Sequence, residues 1–114
     1  MSHKGSCHCG KISFEVQGVF DTVMECNCSH CSRKGYLLWF VPRSSLSLLT
    51  SPASLSTYTF NKHVIQHHFC GECGCAPFGF GKQGDAEMAA VNVRCLEDID
   101  LASIKRKPVD GRSF

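Results

Sequence analysis

Cysteine is the residue type in this chain with the clearest potential for chemistry, since nine cysteines occur among 114 residues. Most of them form three tight groups, C-H-C, C-N-C-S-H-C and C-G-E-C-G-C, which begin at Cys7, Cys26 and Cys70. Neighbours this close form a strained disulfide with each other but can readily share one metal ion. The count is odd, and the opening MSHKGSCHCG has no apolar stretch typical of an export signal. We therefore interpret the cysteines as metal ligands rather than as a disulfide framework.

Zinc is the metal that these groups favour. Sets of thiolates in tetrahedral geometry are typical of zinc and of iron–sulfur clusters. The sequence contains no cysteine run of the simple iron–sulfur type, so we predict zinc.

Two of the groups have the spacing of a four-cysteine structural site. The C-x-x-C-G motif at Cys70–Gly74 is typical of a zinc knuckle, in which the final glycine adopts positive φ and the backbone N–H groups turn toward the sulfurs. The C-H-C-G motif at Cys7–Gly10 follows the same logic with one fewer spacer. We predict that the two half-sites close one tetrahedron and hold a small core together. Its ligands are Cys7, Cys9, Cys70 and Cys73.

The middle group supplies three thiolates within six residues, from Cys26, Cys28 and Cys31. Three protein ligands leave a fourth position open on zinc, which is the pattern of a reactive site. The alternative is an inert site whose fourth ligand is His30 or a distant residue. We favour the open site.

Short strands must position these cysteines. Alternating or apolar segments predict strands at 11–17, 20–25, 36–41, 46–49, 56–60, 63–69, 76–80 and 88–93. The apolar segment 36–41 is expected to be buried on both faces. Segment 29–35 predicts one helical turn or a loop, 96–101 a short helical turn, 61–62 a hairpin turn, and the glycines of 79–84 a flexible loop. The charged residues 105–107 are expected to form a solvated tail. Many short strands without a long helix indicate a small, mainly antiparallel β domain.

Composition sets the remaining expectations. The chain has the length of one domain, residues 1–114, and its 43% hydrophobic and 19% charged residues are ordinary for a soluble globular protein. The longest apolar run is far too short to span a bilayer. Twelve basic against ten acidic residues do not make a nucleic-acid footprint. We expect a cytoplasmic protein that binds neither membranes nor nucleic acids, and we make no prediction of its oligomeric state.

The motifs taken together resemble those of the glutathione-dependent formaldehyde-activating enzyme family. They occur in family order and cover essentially the whole chain. The segments that carry the resemblance are S-C-H-C-G at 6–10, C-N-C-S-H-C-S-R-K at 26–34, F-C-G-E-C-G at 69–74, V-N-V-R-C-L at 91–96 and D-G-R-S-F at 110–114.

This resemblance implies an Mss4-like (β-tent) fold with two zinc ions per chain. The structural zinc matches the four-cysteine set and the catalytic zinc matches the three-cysteine set. The implied activity is the addition of glutathione's thiol to formaldehyde, giving S-hydroxymethylglutathione, or the reverse cleavage by a carbon–sulfur lyase. The implied partners are a small-molecule thiol and a small aldehyde. At the open position, zinc either lowers the pKa of the incoming thiol or polarises the aldehyde oxygen. Because three thiolates make zinc a weak Lewis acid, we prefer thiol activation. The alternative is a non-enzymatic module, stabilised by zinc, that binds a partner or carries a thiol.

Four further residues are candidates for lesser roles. Arg33 and Lys34 follow directly after Cys31 and are candidates to bind a substrate carboxylate, with a solvated loop pair as the alternative. Cys75 and Cys95 have no assigned role, and we expect them to behave as small buried hydrophobic residues.

Overall fold

The structure, a computed structural model, describes residues 2–60, 62, 64–97 and 99–113. Three internal residues lie outside the described residues: Asn61, His63 and Asp98. Each of them falls in a predicted element, namely the 61–62 turn, segment 63–69 and segment 96–101. In the described part, one helix and a series of short strands confirm the mainly β fold. These elements are β1 Ser2–Ser6, β2 Ser13–Gln17, β3 Thr22–Cys26, α1 Ser29–Lys34, β4 Leu38–Pro42, β5 Leu46–Leu48, β6 Leu55–Tyr58, β7 Gln66–Cys70, β8 Phe78–Gln83, β9 Ala86–Asn92 and β10 Lys105–Val109.

The strands form two sheets. The smaller sheet has the order β1-β2-β5, and the larger has the order β10-β3-β4-β9-β8-β7-β6. Every strand pair is antiparallel except β10 with β3, which run parallel with Val109 opposite Cys26. This one parallel pairing brings the C-terminal segment to the middle cysteine group.

The main core lies between the sheets and confirms the predicted strand face. Ile12, Phe14 and Val16 alternate along the sequence and are all fully buried. The Phe14 ring meets Phe78 of the larger sheet edge-on, with the ring centroids 5.2 Å apart. Burying such aliphatic and aromatic side chains contributes ~1.5–3 kcal/mol each.

Two predictions about β4 and β8 were wrong. Segment 36–41 is not buried on both faces: Trp39 and Val41 point inward, but Phe40 is 49% exposed because the outer face of β4 is open to solvent. The glycines of 79–84 do not form one loop, since β8 runs through Gly79 and the turn is confined to 84–85. A Cβ on Gly79 would lie 3.1 Å from the carbonyl oxygen of Gln66 on β7, so the glycine allows a close approach of the backbones.

The ends of the chain also differ from prediction. No strand was predicted for β1, which pairs with β2 from Ser2 to Ser6. No helical turn is found over 96–101 among its described residues, because Leu96 bridges to Gly5 and its neighbours pack on the core. The charged run 105–107 is part of β10 rather than a solvated tail. Its Arg106 lies 3.6 Å from the Glu25 carboxylate, and such charges are common on edge strands.

Candidate functional site

Four cysteines meet where the two sheets are joined. Cys7 and Cys9 follow β1, while Cys70 ends β7 and Cys73 lies in the turn toward β8. Their Sγ atoms all lie within 4.8 Å of one another, with Cys7–Cys9 at 3.7 Å and Cys9–Cys70 at 3.5 Å. Zinc bonded to four sulfurs at ~2.3 Å separates them by about 3.8 Å, so this set fits a tetrahedral zinc ion.

Both half-sites have the predicted knuckle geometry. Gly10 and Gly74 each have φ of 82°, and their N–H groups donate to the carbonyl oxygens of Cys7 and Cys70. This turn lets other backbone N–H groups approach the sulfurs, and the Ile12 N–H donates to Cys7 Sγ at 3.3 Å. Such donors stabilise thiolates, which are the form that binds metal.

The thiols of this cluster differ in how readily they ionise. Hydrogen bonds from the backbone N–H groups of Cys75 and Cys9 lower the pKa of Cys73 to about 5. The Lys11 N–H acts in the same direction on Cys9, but hydrogen bonding with Cys70 and burial outweigh it and raise the pKa of Cys9 to about 12. The Cys73 thiolate therefore forms easily, and its negative charge disfavours ionisation of a second thiol in the cluster. A divalent cation would stabilise all four thiolates together.

Three cysteines form a second cluster at the N-terminus of α1. Cys26 ends β3, Cys28 caps the helix and Cys31 lies buried in its first turn, with all three Sγ atoms within 4.8 Å of one another. The Cys31 N–H donates to Cys28 Sγ at 3.2 Å, and the Cys28 N–H approaches Cys26 Sγ at 3.5 Å. Among the described residues no histidine or carboxylate joins this cluster as a fourth ligand, so His30 does not complete it.

The pKa values of Cys28 and Cys31 in the second cluster are shifted in opposite directions. For Cys28, burial acts to raise the pKa, but hydrogen bonds from the Cys31 and His30 N–H groups leave it below its ordinary value. For Cys31, burial and then hydrogen bonding with Cys28 raise the pKa. Three thiols at these distances fit one zinc ion with a fourth position left for another ligand.

The C-terminal segment encloses one side of this cluster. Asn27 donates from Nδ2 to Asp110 Oδ1 at 3.0 Å and accepts from the Arg112 N–H at 2.9 Å. Gly111 between them lies so close to Cys26 that a Cβ there would overlap its Sγ atom. We call Asn27 and residues 110–112 the C-terminal clasp. Sequence reasoning noted the D-G-R motif but missed this contact, because it depends on the non-local pairing of β10 with β3.

A pocket of about 310 Å³ adjoins the three-cysteine cluster. Tyr36 and Phe69 line the pocket and also belong to or pack against the small buried cluster that contains Cys31. A larger depression of about 570 Å³, around Arg43, is lined mainly by charged and polar residues. The described linings of both cavities contain no cysteine, but the larger one shares no residue with the packing around Cys31. The smaller pocket is the one beside the metal-binding chemistry. It is lined by His30, Lys34, Tyr36, Tyr58, His67 and Phe69.

Two histidines of the pocket are held neutral. Their ring centroids are 4.3 Å apart, and burial, followed by the charges of His30, His68 and Lys34, lowers the pKa of His67 to about 4. Burial and then Lys34 also lower the pKa of His30, whose buried Nδ1 atom has no hydrogen-bond partner in the described structure. The sequence places His67 in the predicted strand 63–69, and its spacing gives no sign of the pocket.

The remaining predicted residues lie in different surroundings. Lys34 lines the pocket, with Nζ 5.5 Å from the centroid of the Phe69 ring. Arg33 is exposed, is not part of the pocket lining, and donates to the Ser29 carbonyl oxygen at 2.8 Å. Cys75 and Cys95 belong to neither cluster. Burial, together with the charges of Cys75 and other nearby thiols, raises the pKa of Cys95 to about 11.

Comparisons with known proteins cover almost the whole chain. A family model described as "Glutathione-dependent formaldehyde-activating enzyme" matches residues 2–109, a range that contains both cysteine clusters. The chain is also similar to a Rhodobacter sphaeroides protein of known crystal structure, with 28% sequence identity and a TM-score of 0.79. That match covers 91% of this chain and 99% of the other. No helix in the described part of the chain is long and apolar enough to cross a membrane.

Proposed function

The chain belongs to the glutathione-dependent formaldehyde-activating enzyme family, and we propose that it is a carbon–sulfur lyase joining a thiol to a small aldehyde. The thiol is glutathione or another small-molecule thiol, and the aldehyde is formaldehyde or another small one. In this reaction the thiol sulfur bonds to the aldehyde carbon, and the carbonyl electrons move to oxygen. The thiol proton ends on that oxygen. The reverse reaction breaks the carbon–sulfur bond and regenerates both reactants.

The proposal is supported above all by a three-cysteine cluster that shares a wall with a pocket. The four-cysteine cluster supplies a full tetrahedral ligand set, whereas the set of Cys26, Cys28 and Cys31 has no fourth ligand among the residues that the structure describes. Tyr36 and Phe69 connect the incomplete set to a cavity of about 310 Å³. This is near the lower end of the ~300–1,000 Å³ typical of small-molecule sites.

The chain's own residues perform three tasks in this proposal. Zinc held by the three thiolates would supply an open position at which a substrate thiol ionises near neutral pH. The three cysteines bring three negative charges, which disfavour polarisation of an aldehyde oxygen and favour thiol activation. Tyr36 and Phe69 exclude water beside Cys31, and Lys34 attracts an anionic group of the substrate. We further propose that a zinc ion on the four-cysteine cluster is structural.

Replacing Cys28 with serine tests the catalytic part of the proposal. Cys28 is the helix cap and a ligand of the incomplete set, and the serine keeps the cap because its oxygen also accepts the Cys31 N–H. We expect bound zinc to fall from two ions per chain to one and adduct formation to be lost. Zinc is measured by elemental analysis, and thiol–aldehyde adducts are measured by NMR.

Cys75→Ser is the matched control. It makes the same chemical change in a partly buried cysteine that lies outside both clusters, so zinc content and adduct formation should stay at the wild-type level. Unchanged zinc content together with unchanged adduct formation in Cys28→Ser would rule the proposal out. Zinc-dependent thiol binding without adduct formation in the wild-type protein would instead identify a thiol carrier.

A further inference from the structure

We infer that the pocket beside the three-cysteine cluster selects a compact thiol with a flat, apolar body and a single anionic group, in preference to a zwitterionic peptide thiol. This inference rests on the proposed function, because it places the substrate sulfur at the three-cysteine cluster. It narrows the class of thiol that the pocket accepts.

Flat rings form one wall of the pocket. Tyr58 lies nearly parallel to His30, at 5.5 Å between centroids and 26° between planes, and the Phe60 ring lies nearly parallel to His67 at 5.3 Å and 19°. Tyr58 is 50% exposed, although aromatic rings are usually buried. A flat ligand stacked on this wall would cover the exposed ring, and aromatic pairs contribute ~0.5–1.5 kcal/mol beyond the area that they bury.

The charges of the lining favour one anionic group. Lys34 is the one lysine or arginine among the described residues that line the pocket, and that lining includes no aspartate or glutamate. The Lys34 ammonium offers donors to a carboxylate. Glutathione carries two carboxylates and one ammonium. Its ammonium and its second carboxylate would find no charged partner in this lining.

The lysine lies close to the cysteine cluster. Cys31 and Lys34 are three residues apart on α1, so their backbone positions differ by about 4.5 Å along the helix axis. The Lys34 Nζ atom lies 5.5 Å from the centroid of the Phe69 ring, and that ring packs on the buried cluster that contains Cys31. A ligand with its sulfur at the cysteine cluster and its anionic group at Lys34 therefore needs only a short body alongside this ring.

Binding of three probe thiols to the zinc-loaded protein tests this inference. The probes are 3-mercaptobenzoate, which has ring and carboxylate, thiophenol, which has the ring alone, and glutathione. Isothermal titration calorimetry should give 3-mercaptobenzoate a Kd at least about 10-fold below that of glutathione and about 5-fold below that of thiophenol. A tighter Kd for glutathione would overturn the inference.

Two variants test whether the selectivity among the three thiols arises from the pocket. Lys34→Met should remove the advantage of 3-mercaptobenzoate over thiophenol, whereas Lys82→Met, the same change at a distant exposed position, should preserve it. Tyr58→Ala should weaken both aromatic probes by about 5-fold and leave glutathione unchanged. Equal losses for all three probes in Lys34→Met would contradict the inference.

The inference and the proposed function fail in different ways. If all three thiols bind equally well and binding disappears in Cys28→Ser, the proposed function stands and this inference is wrong. If no thiol binds in a Cys28-dependent manner, both are wrong.

Discussion

The two cysteine clusters use similar local chemistry in opposite structural settings. The four-cysteine cluster joins the two sheets, since Cys7 follows β1 of the smaller sheet and Cys70 ends β7 of the larger one. The three-cysteine cluster draws its thiols from one continuous segment, Cys26 to Cys31, at the edge of a pocket. A metal ion at the first cluster would therefore hold the two sheets together. At the second, the three-ligand set would leave one position for a substrate.

The surroundings of the two clusters strengthen this contrast. Cys7 and Cys70 are almost fully buried and pack within the main core. Cys31 packs instead with Tyr36 and Ala76 in a small separate cluster of buried residues. Loss of metal from the first site should therefore disturb the whole core, whereas loss from the second should remain local.

The largest expected effect is that of Cys70→Ser. Zinc binding to a structural site contributes ~10–16 kcal/mol in small zinc domains, comparable with or larger than the ~5–15 kcal/mol stability of a whole domain. We expect this variant to lose the structural zinc and to be unfolded at 25 °C. Far-UV circular dichroism and thermal unfolding measure the loss.

Cys28→Ser is the comparison for this variant, because it removes one thiol from the other cluster. Its thermal unfolding should remain cooperative, with a midpoint within a few degrees of the wild type. A folded Cys70→Ser protein with a wild-type midpoint would show that the four-cysteine cluster does not stabilise the fold.

An intermediate effect is expected for Gly111→Ala in the C-terminal clasp. A Cβ at this position would overlap Cys26 Sγ and lie 3.3 Å from the Cys28 Cβ atom, so the clasp or the cluster must move. We expect zinc affinity at the three-cysteine site to fall by about 10-fold, as for other contacts that orient metal ligands. Chelator competition on the zinc-loaded protein measures this affinity.

Gly84→Ala is the control for the clasp variant. Unlike Gly111, Gly84 has a positive φ, of 63°, and a Cβ there would meet nothing within 4 Å. This change should strain the β8–β9 turn and leave zinc affinity at both clusters unchanged. Equal zinc affinities for Gly111→Ala and the wild type would mean that the clasp does not position Cys26.

The extent to which the sequence predicts this molecule follows from how local each feature is. The cysteine groups, the knuckle glycine Gly74 and the alternating face of β2 are set by residues a few positions apart, and the structure confirms them. The strand β1 and the parallel strand β10 depend on partners far along the chain. Residues 105–107 have the composition of a tail, and only pairing with β3 makes them a strand.

The distance along the chain also explains which parts of the site can be predicted from the sequence. Cys26, Cys28 and Cys31 lie on one short segment, so their clustering is visible in their spacing. The pocket combines α1 with β6 and β7, and Tyr58 and His67 face it because those two strands pair antiparallel. Asn27 meets Asp110 and Arg112 through two long-range hydrogen bonds, which no local pattern indicates.

The smallest expected effect concerns pH and the pocket beside the three-cysteine cluster. Burial lowers the pKa of His67 to about 4, while that of an unfolded histidine is ~6.5. The unfolded chain therefore binds more protons between these values. The contribution of His67 to the free energy of unfolding is complete above pH ~6.5. It is lost progressively as the pH falls toward about 4.

Replacing His67 with phenylalanine should reduce this pH dependence. The neighbouring groups that set the pKa are His30, His68 and Lys34, and phenylalanine can keep the stacking with Phe60. Between pH 7 and 5, the wild type should lose about 1 kcal/mol more free energy of unfolding than His67→Phe, since the partly exposed ring is partly screened by solvent. Denaturant unfolding of both zinc-loaded proteins at each pH measures the difference, in which any acid-induced zinc release common to both cancels. Identical pH slopes for the two proteins would mean that His67 is no less protonated in the folded pocket than in the unfolded chain. The pocket would then be more open to water than its lining indicates, and its contrast with the closed four-cysteine cluster would be greater.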